Sequence, residues 1–454
     1  MTMRRIFSLA LLAVHLAAAA GVSPEEARQL GSSLTEFGAV RAGNADGSIP
    51  PYTGGLRSAP AGHKPGSGFW VDPFKGEKPL YRIDARNMAQ YADKLSEGQR
   101  QLLARFPEYY LDVYPSHRTV AYPDAVLAAT RRNATSCRSL KDGLAVDVAC
   151  RGGMPFPIPK TGHEVMWNQQ LRYQGSKDMV TMSSRSWVVD ANGRPIKTAE
   201  QQTYQNFPYY ELDQKDRDPT MAWRVYSVTK SPARRVGEMT GLADYLDPSA
   251  RPRKAWTYTP GQRRVKLAPE FAYDTPVASM GGVIVYDELF VFSGMMDRFD
   301  FKLLGKKEML IPYNGYKATY DCPVPEVALM ARHANPACER WELHRVWVVD
   351  AVLRPGQRHA YPRRTYYFDE DLSGAGMFDA FDQEGQLARV MFNTTTPMYD
   401  LDIPWSVKNV VYDFSRGLYA YLNDAMIGGF KQIETPRSER ELNPEAVVGR
   451  ETAR

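Results

Sequence analysis

The 454-residue sequence predicts an α+β fold in which helices come first and a set of mainly antiparallel strands follows. Two observations carry this expectation. Between about residues 85 and 170, apolar residues recur three and four apart behind helix-capping residues. From about Val180 onward, short runs rich in Val, Tyr, Phe, Trp and Thr are separated by Gly, Pro, Asp and Asn, the pattern of strands joined by turns.

The chain opens with MTMRR and the apolar run IFSLALLAVHLAAAA, and Ala18 and Ala20 place small residues at −3 and −1. This predicts a secretory signal peptide over residues 1–20, cleaved after Ala20. The run is too short for a membrane anchor, and no later segment reaches eighteen consecutive apolar residues. No cysteine stands near the cleavage position for lipid attachment, so the expected product is exported and soluble. The chain holds 57 Lys and Arg against 52 Asp and Glu, and the signal removes Arg4 and Arg5. That near-neutral balance, without long basic runs, argues against nucleic acid as a partner.

Four cysteines in an exported chain predict two disulfides among three possible pairings. Short loops favour Cys137 with Cys150 and Cys322 with Cys338; each closes about 15 residues, worth about 3 kcal/mol by the chain-entropy model.

Residues 21–80 are rich in Gly, Pro and Ser and are expected to lie extended over a core. NADG (44–47) lacks the alternating acidic ligands of a calcium loop and reads as a turn. Helices are expected over Ala85–Leu95, over Glu97–Phe106 behind a Ser96/Gln99 capping box, and from Pro123 to about Arg132. The prolines of MPFPIPK then exclude regular structure until Thr161 and Glu164 cap a helix carrying Val165, Met166 and Trp167. Strands fill the chain from about 176 to 433, and the polar tail 434–454 is expected to fray.

One motif occurs twice: Trp187-Val-Val-Asp-Ala-x-x-Arg-Pro and Trp347-Val-Val-Asp-Ala-x-x-Arg-Pro. The recurrence of Asp190 and Asp350 with Arg194 and Arg354 reads as a turn that stabilises a hairpin. His344, in RWELHRVW, has Ser184 at the equivalent place in the other copy and is assigned no chemistry.

Templates for catalysis are missing. His163-Glu164 lacks the second histidine of a zinc-protease helix, since position 167 is Trp167. There is no G-x-S-x-G elbow, no G-x-x-x-x-G-K-[ST] loop and no G-x-G-x-x-G opening a helix. Asp369-Glu370-Asp371 reads as a solvated strand end rather than a glycosidase pair. No catalytic residue, metal ligand or cofactor is therefore assigned. What is abundant is aromatic and methionine surface on strands, including Trp223, Trp256, Tyr258, Tyr273, Phe290 and Met295. Individually these are ordinary sheet core; together they leave room for an apolar cavity.

NADGSIPPYTGGL, NMAQYADKLSEGQ, DVYPSHRT, GGMPFPIPKTGHEVMWN, RRVKLAPEFAYDTP, LLGKKEMLIPYNGYK and HANPACERWELHRVWVVDAVLRPGQRHAYPRRTYYFDED together resemble a family of exported proteobacterial proteins of unknown function. That family is described as outer-membrane lipoprotein-sorting-like. The resemblance runs from about Val22 to beyond Phe392. It implies the fold of the periplasmic lipoprotein carriers LolA and LolB: a strongly curved antiparallel sheet, an unclosed β-barrel, with helices packed in or over its concave face. On that reading residues 81–175 are a helical lid region, and 176–433 a β cup in one domain with the preceding parts. The segment W-x-Y-x-P-G-x-R-R-V (Trp256 to Val265) is similar to a strand-pair signature of such carriers. The implied function is periplasmic binding and carriage of a lipid or other hydrophobic molecule, together with a resistance-nodulation-division exporter and an outer-membrane partner. Peripheral attachment to the outer membrane is compatible with it. The alternatives are an enzyme acting on a hydrophobic substrate in the same cavity, or a structural adaptor of an export complex. Trp187, Trp256, Tyr258 and Trp347 are the expected ligand-binding residues, lining the cup.

Overall fold

The structure, a computed structural model, describes residues 21–425 and 427–453; the expected signal segment 1–20 lies outside the described residues. Its helices are α1 (Pro24–Ala27), α2 (Glu97–Arg105), α3 (Asp124–Ser136), α4 (Gly162–Gln170) and α5 (Pro444–Thr452). The first strands are β1 (Tyr81–Ile83), β2 (Leu111–Val113), β3 (Ser139–Leu140) and β4 (Ala145–Val146). A meander follows: β5 (Met179–Val189), β6 (Pro195–Asn206), β7 (Met221–Ser231), β8 (Met239–Tyr245), β9 (Lys254–Tyr258) and β10 (Val265–Leu267). The second meander is β11 (Phe299–Pro312), β12 (Trp341–Leu353), β13 (Arg363–Asp369), β14 (Gly376–Phe381), β15 (Leu387–Thr395), β16 (Ser406–Asp413) and β17 (Leu418–Asp424), and β18 (Phe430–Gln432) ends the set.

All but β3 and β4 belong to one 16-stranded sheet. Pairing of β17 with β5 joins the two meanders, and neighbours are antiparallel except at one parallel bridge, Trp341 to Val113. Among the described residues β10 and β11 do not pair, so the sheet is unclosed, as expected. No helix among these residues is long and apolar enough to cross a membrane.

The repeated motif behaves differently in its two copies. In the first, Val189 pairs with Pro195, and the Asp190 carboxylate closes the turn by accepting from the Asn192 and Arg194 amides at 2.9 and 3.0 Å. Arg194 also bonds Asp190 through its guanidinium at 2.9 and 2.7 Å. In the second copy β12 runs on to Leu353, Asp350 reaches across to Arg363 and Thr365, and Arg354 turns to Asp300. The turn reading holds for the first copy only.

Local capping places the helices. Ser96 Oγ accepts from the Gln99 amide at 3.2 Å while Gln99 Oε1 accepts from the Ser96 amide at 2.7 Å, so both orphan donors at the start of α2 are satisfied. Thr161 and Glu164 do the same for α4. The helix expected over Ala85–Leu95 is reduced to a 3-10 segment, Met88–Lys94. Its N-cap residue, Asn87, makes no cap; its side chain turns back to the Asp84 amide and the Arg82 carbonyl.

Helix α2 is fixed to the sheet by Asp379 of β14. This buried carboxylate accepts from the Gly98 amide at 3.2 Å, Ser96 Oγ at 3.3 Å and Tyr367 Oη at 3.1 Å. Gly98 is required by the approach: a Cβ there would stand 2.2 Å from Val390 Cγ1. Burial raises the Asp379 carboxyl to about 6. Elsewhere, Cys137–Cys150 and Cys322–Cys338 are bonded with Cα separations of 4.9 and 6.1 Å. The N-terminal segment lies over the core with Phe37, Ile49, Tyr52 and Trp70 buried.

The C-terminal tail does not fray. Asn443 caps α5, with Pro444 at its first position, and Leu442 and Val447 are buried against Tyr204, Tyr226, Trp256 and Tyr258. Glu439 bonds Arg224 at 3.0 and 2.7 Å and tethers the segment before the helix. The tail is polar in composition, but its apolar side chains pack on the sheet, and the Arg437 and Glu439 amides bond Asp178 and Asp216.

Replacing Val447 with Asp should lower stability by about 2–4 kcal/mol, because a carboxylate is then buried against aromatic carbon; an unchanged urea midpoint would mean the tail is not docked. Asp379 generates a pH dependence. Its folded value of about 6 lies above the ordinary 3.8, so the stability it contributes is complete below about pH 4 and lost as pH rises through about 6. The stability difference between wild type and Asp379→Asn should therefore shrink by about 3 kcal/mol across that window. A pH-independent difference would contradict the assignment.

Candidate ligand cavity

Strand alternation sends Gln201, Thr203 and Gln205 of β6 to one face and Tyr204 to the other. Across the ladder Thr203 meets Ser227 and Gln205 meets Val225; these in turn meet Thr240 and Leu242 of β8. The same side chains form the floor of a cavity of about 110 Å³. Its roof comes from the irregular segment 277–290, with Val277, Met280, Ile284, Leu289 and Phe290. Asn409 of β16 and Asn423 of β17 also reach it. On a flat sheet β16 and β8 would stand about 24 Å apart, five strand spacings, so one small cavity touching both requires strong curvature.

A second cavity of about 210 Å³ lies beyond Trp223, walled by Trp167 and Gln170 of α4 and Leu171 just after it, together with Tyr245, Tyr273 and Met295. Trp223 belongs to both walls and is the partition. Its Nε1 donates to Asp244 Oδ2 at 3.0 Å, and Arg253 bonds both Asp244 oxygens at 2.7 Å and Ser293 Oγ at 2.7 Å. Phe290 meets the Trp223 indole edge-on at 5.4 Å between centroids. A buried ion pair thus holds the indole upright and the roof leans on it.

Among the described residues the cavity under the roof has no side chain with a full charge at neutral pH on its wall; Thr, Ser, Gln and Asn supply the polarity. Thr203 and Ser227 satisfy each other at 3.0 Å. Gln205 Oε1, and Gln170 Nε2 beside the second cavity, are buried without a protein partner. The backbone is strained at the end of the roof and beside the second cavity: Phe290 and Val291 adopt φ of +56° and +79°, and Tyr273 +51°. Such conformations cost about 1–3 kcal/mol each and gather where a segment is held for binding.

None of the four expected ligand-binding residues is on these walls. Trp256 and Tyr258 lie on the opposite face of the sheet, beneath α5. Gly241 makes room there, since a Cβ would stand 2.1 Å from Trp256 Nε1. Trp187 and Trp347 do occupy related places, each across from a lysine: Trp187 from Lys197 and Trp347 from Lys306, whose Nζ is 4.4 Å above the ring. The inward face of β6 to β8 is instead the less aromatic one. Trp223, Tyr273, Phe290 and Met295, which the sequence reads one by one as sheet core and together as room for an apolar cavity, are cavity residues. The period-two pattern Gln201-x-Thr203-x-Gln205 was the available signal.

A family model described as a protein of unknown function, DUF1329, matches residues 82–447. An uncharacterized protein of Pseudomonas aeruginosa is 38% identical over 422 residues, covering 92% of this chain and 90% of that one. Among solved structures, a domain from Vibrio parahaemolyticus described as an outer membrane lipoprotein-sorting protein shares 13% identity at a TM-score of 0.42. It is matched over 97% of its length and 63% of this chain. A DUF1329 family protein from Desulfovibrio piger shares 14% identity at a TM-score of 0.41, with the same 97% and 63% coverage. On the extent of the family match and of the Pseudomonas relative, the chain belongs to the DUF1329 family.

Proposed function

We propose that the chain is a periplasmic binding and carrier protein for a lipid or another hydrophobic molecule. The observation that carries this reading is the pair of cavities on either side of Trp223, one between the sheet and the 277–290 roof, the other between the sheet, α4 and the Tyr273 and Met295 side chains. A cavity of about 150 Å³ accepts a molecule the size of benzene, so the compartment of about 210 Å³ suits a ring and the one of about 110 Å³ a short alkyl segment. A longer chain would pass Trp223 by displacing Phe290 and the strained roof. The hydroxyl and amide floor, with Gln205 Oε1 unpaired, favours an amphiphile whose polar group accompanies its apolar part. One apolar core runs from Phe37 through Phe430, which supports reading the N-terminal segment, the 81–175 region and the 176–433 cup as parts of one domain.

The physical basis is removal of apolar ligand surface from water, about 0.8 kcal/mol per methylene, offset by the cost of association. About ten methylenes contribute about 8 kcal/mol before that cost is subtracted. Delivery requires a partner that opens the roof; a resistance-nodulation-division exporter and an outer-membrane protein fit that role.

The fluorescent fatty acid dansyl-undecanoic acid tests the site. Val225 is half-buried on the cavity wall, so Val225→Glu should fold normally yet raise the probe Kd at least about tenfold by desolvating a carboxylate. Trp347→Ala, outside both cavities, should leave the Kd within about twofold. Unchanged binding in Val225→Glu, or loss of binding in Trp347→Ala with intact circular dichroism, would move the site elsewhere.

A further inference from the structure

Four segments from three of the long sequence motifs converge, away from both cavities, on one buried cluster. DVYPSHRT contributes Arg118, IPYNGYK contributes Tyr313 and Asn314, RWELHRVW contributes Glu342 and His344, and YYFDED contributes Asp369 and Asp371. His344, Asp369 and Asp371 are all buried and bring ligand atoms within 4.8 Å of one another.

Each of the three is oriented from behind. His344 Nε2 lies 3.2 Å from Glu342 Oε2, and the His344 ring stacks on Tyr313 at 3.9 Å. Glu342 is itself fixed by Arg340, by the His117 amide at 2.7 Å and by Asn314 Nδ2 at 3.0 Å. Asp369 Oδ2 accepts from Tyr313 Oη at 3.0 Å and the Leu372 amide at 2.9 Å, which leaves Oδ1 buried without a hydrogen-bond partner. Arg118 holds Asp371 in a fork, at 2.8 and 2.6 Å.

The remaining His344 nitrogen, Nδ1, faces Asp369 Oδ1 at 3.6 Å. That is too long for an N–H···O bond. It is close to the about 3.0–3.5 Å that separates two donor atoms sharing a metal at about 2.0–2.2 Å from each. A histidine that bonds a carboxylate through its far nitrogen, and a carboxylate held through one oxygen, are the usual supports of metal ligands.

We propose that His344 Nδ1, Asp369 Oδ1 and an Asp371 oxygen bind one divalent transition-metal ion. One imidazole and two carboxylates without a thiolate suit Zn²⁺ or Mn²⁺. The charge pattern agrees: Arg118 offsets Asp371 and Arg340 offsets Glu342, so Asp369 has no arginine or lysine bonded to it among the described residues. The competing solution is a proton held between His344 and Asp369. The ion would fasten β12, β13 and the segment that follows β13, and its role is to stabilise the fold, independent of the carrier reading.

The test uses the full chain, unfolded with chelator and refolded with Zn²⁺, Mn²⁺ or EDTA. Native mass spectrometry should count one retained ion per chain, and the melting temperature should rise by a few degrees relative to the EDTA sample. His344→Ala and Asp369→Asn should each abolish retention. Since these buried variants can fail to fold, X-ray absorption of the zinc-loaded wild type provides a second reading. It should show a nitrogen and oxygen shell at about 2.0–2.2 Å that includes one imidazole. Wild type that folds and retains neither metal, an ion retained undiminished in His344→Ala, or a shell without imidazole would each overturn the proposal.

Discussion

The pairing of β17 with β5 is the constraint on which the rest of the molecule depends. Two meanders, each built from local hairpins, become one sheet because Tyr419, Ala420 and Tyr421 register with Val189, Val188 and Trp187, and β18 extends the junction along β5 through Phe430 and Thr181. Register shifts between Tyr421 and Asp424, Asn423 there adopts a φ of +59°, and Arg185 Nε bonds Asp424 Oδ2 at 2.7 Å. An irregularity of this kind bends a strand and increases its twist. The bend at the seam brings Asn409 and Asn423 round to Thr181 and Ser184, so the enclosed space beneath the roof exists because the seam does. Removing one partner of a buried pair such as Arg185–Asp424 leaves an uncompensated charge, which makes the seam sensitive to single substitutions.

The organisation of the sheet was legible because it is written in short-range chemistry. Capping boxes at Ser96 and Thr161, turn residues between short β-rich runs and closely spaced cysteines act within about fifteen residues, and the structure uses each of them. The Ala85–Leu95 helix was overestimated for the same kind of reason. Periodicity was present, but Asn87 spends its side chain on the preceding turn, and without a cap the segment tightens to a 3-10 form.

Which face of the sheet is inside was not legible, and the reason is specific. Alternation gives two faces on β6 to β9, one with Tyr204, Tyr226, Trp256 and Tyr258, the other with Thr203, Ser227, Thr240 and Leu242. The richer aromatic face looks like the cavity wall until the C-terminal tail is laid on it. The tail reads as polar, yet Leu442 and Val447 cover those aromatics. The docked tail and the placement of Trp256 and Tyr258 away from the cavities therefore have one cause. His344 escaped for a related reason: its partners Asp369 and Asp371 are 25 or more residues away, and Asp369-Glu370-Asp371 reads as a solvated strand end until Arg118, Lys306 and Arg345 are brought to it.

On the proposed function, the space around Trp223 is occupied in the working protein by a hydrophobic molecule that leaves unchanged. Native mass spectrometry of the chain recovered from cell envelopes without detergent tests this most directly. It should reveal an organic adduct of defined mass, far heavier than a metal ion, that dissociates intact on denaturation and is missing from Val225→Glu. A bare polypeptide mass from the same envelopes, or an adduct that is chemically converted while bound, would contradict it.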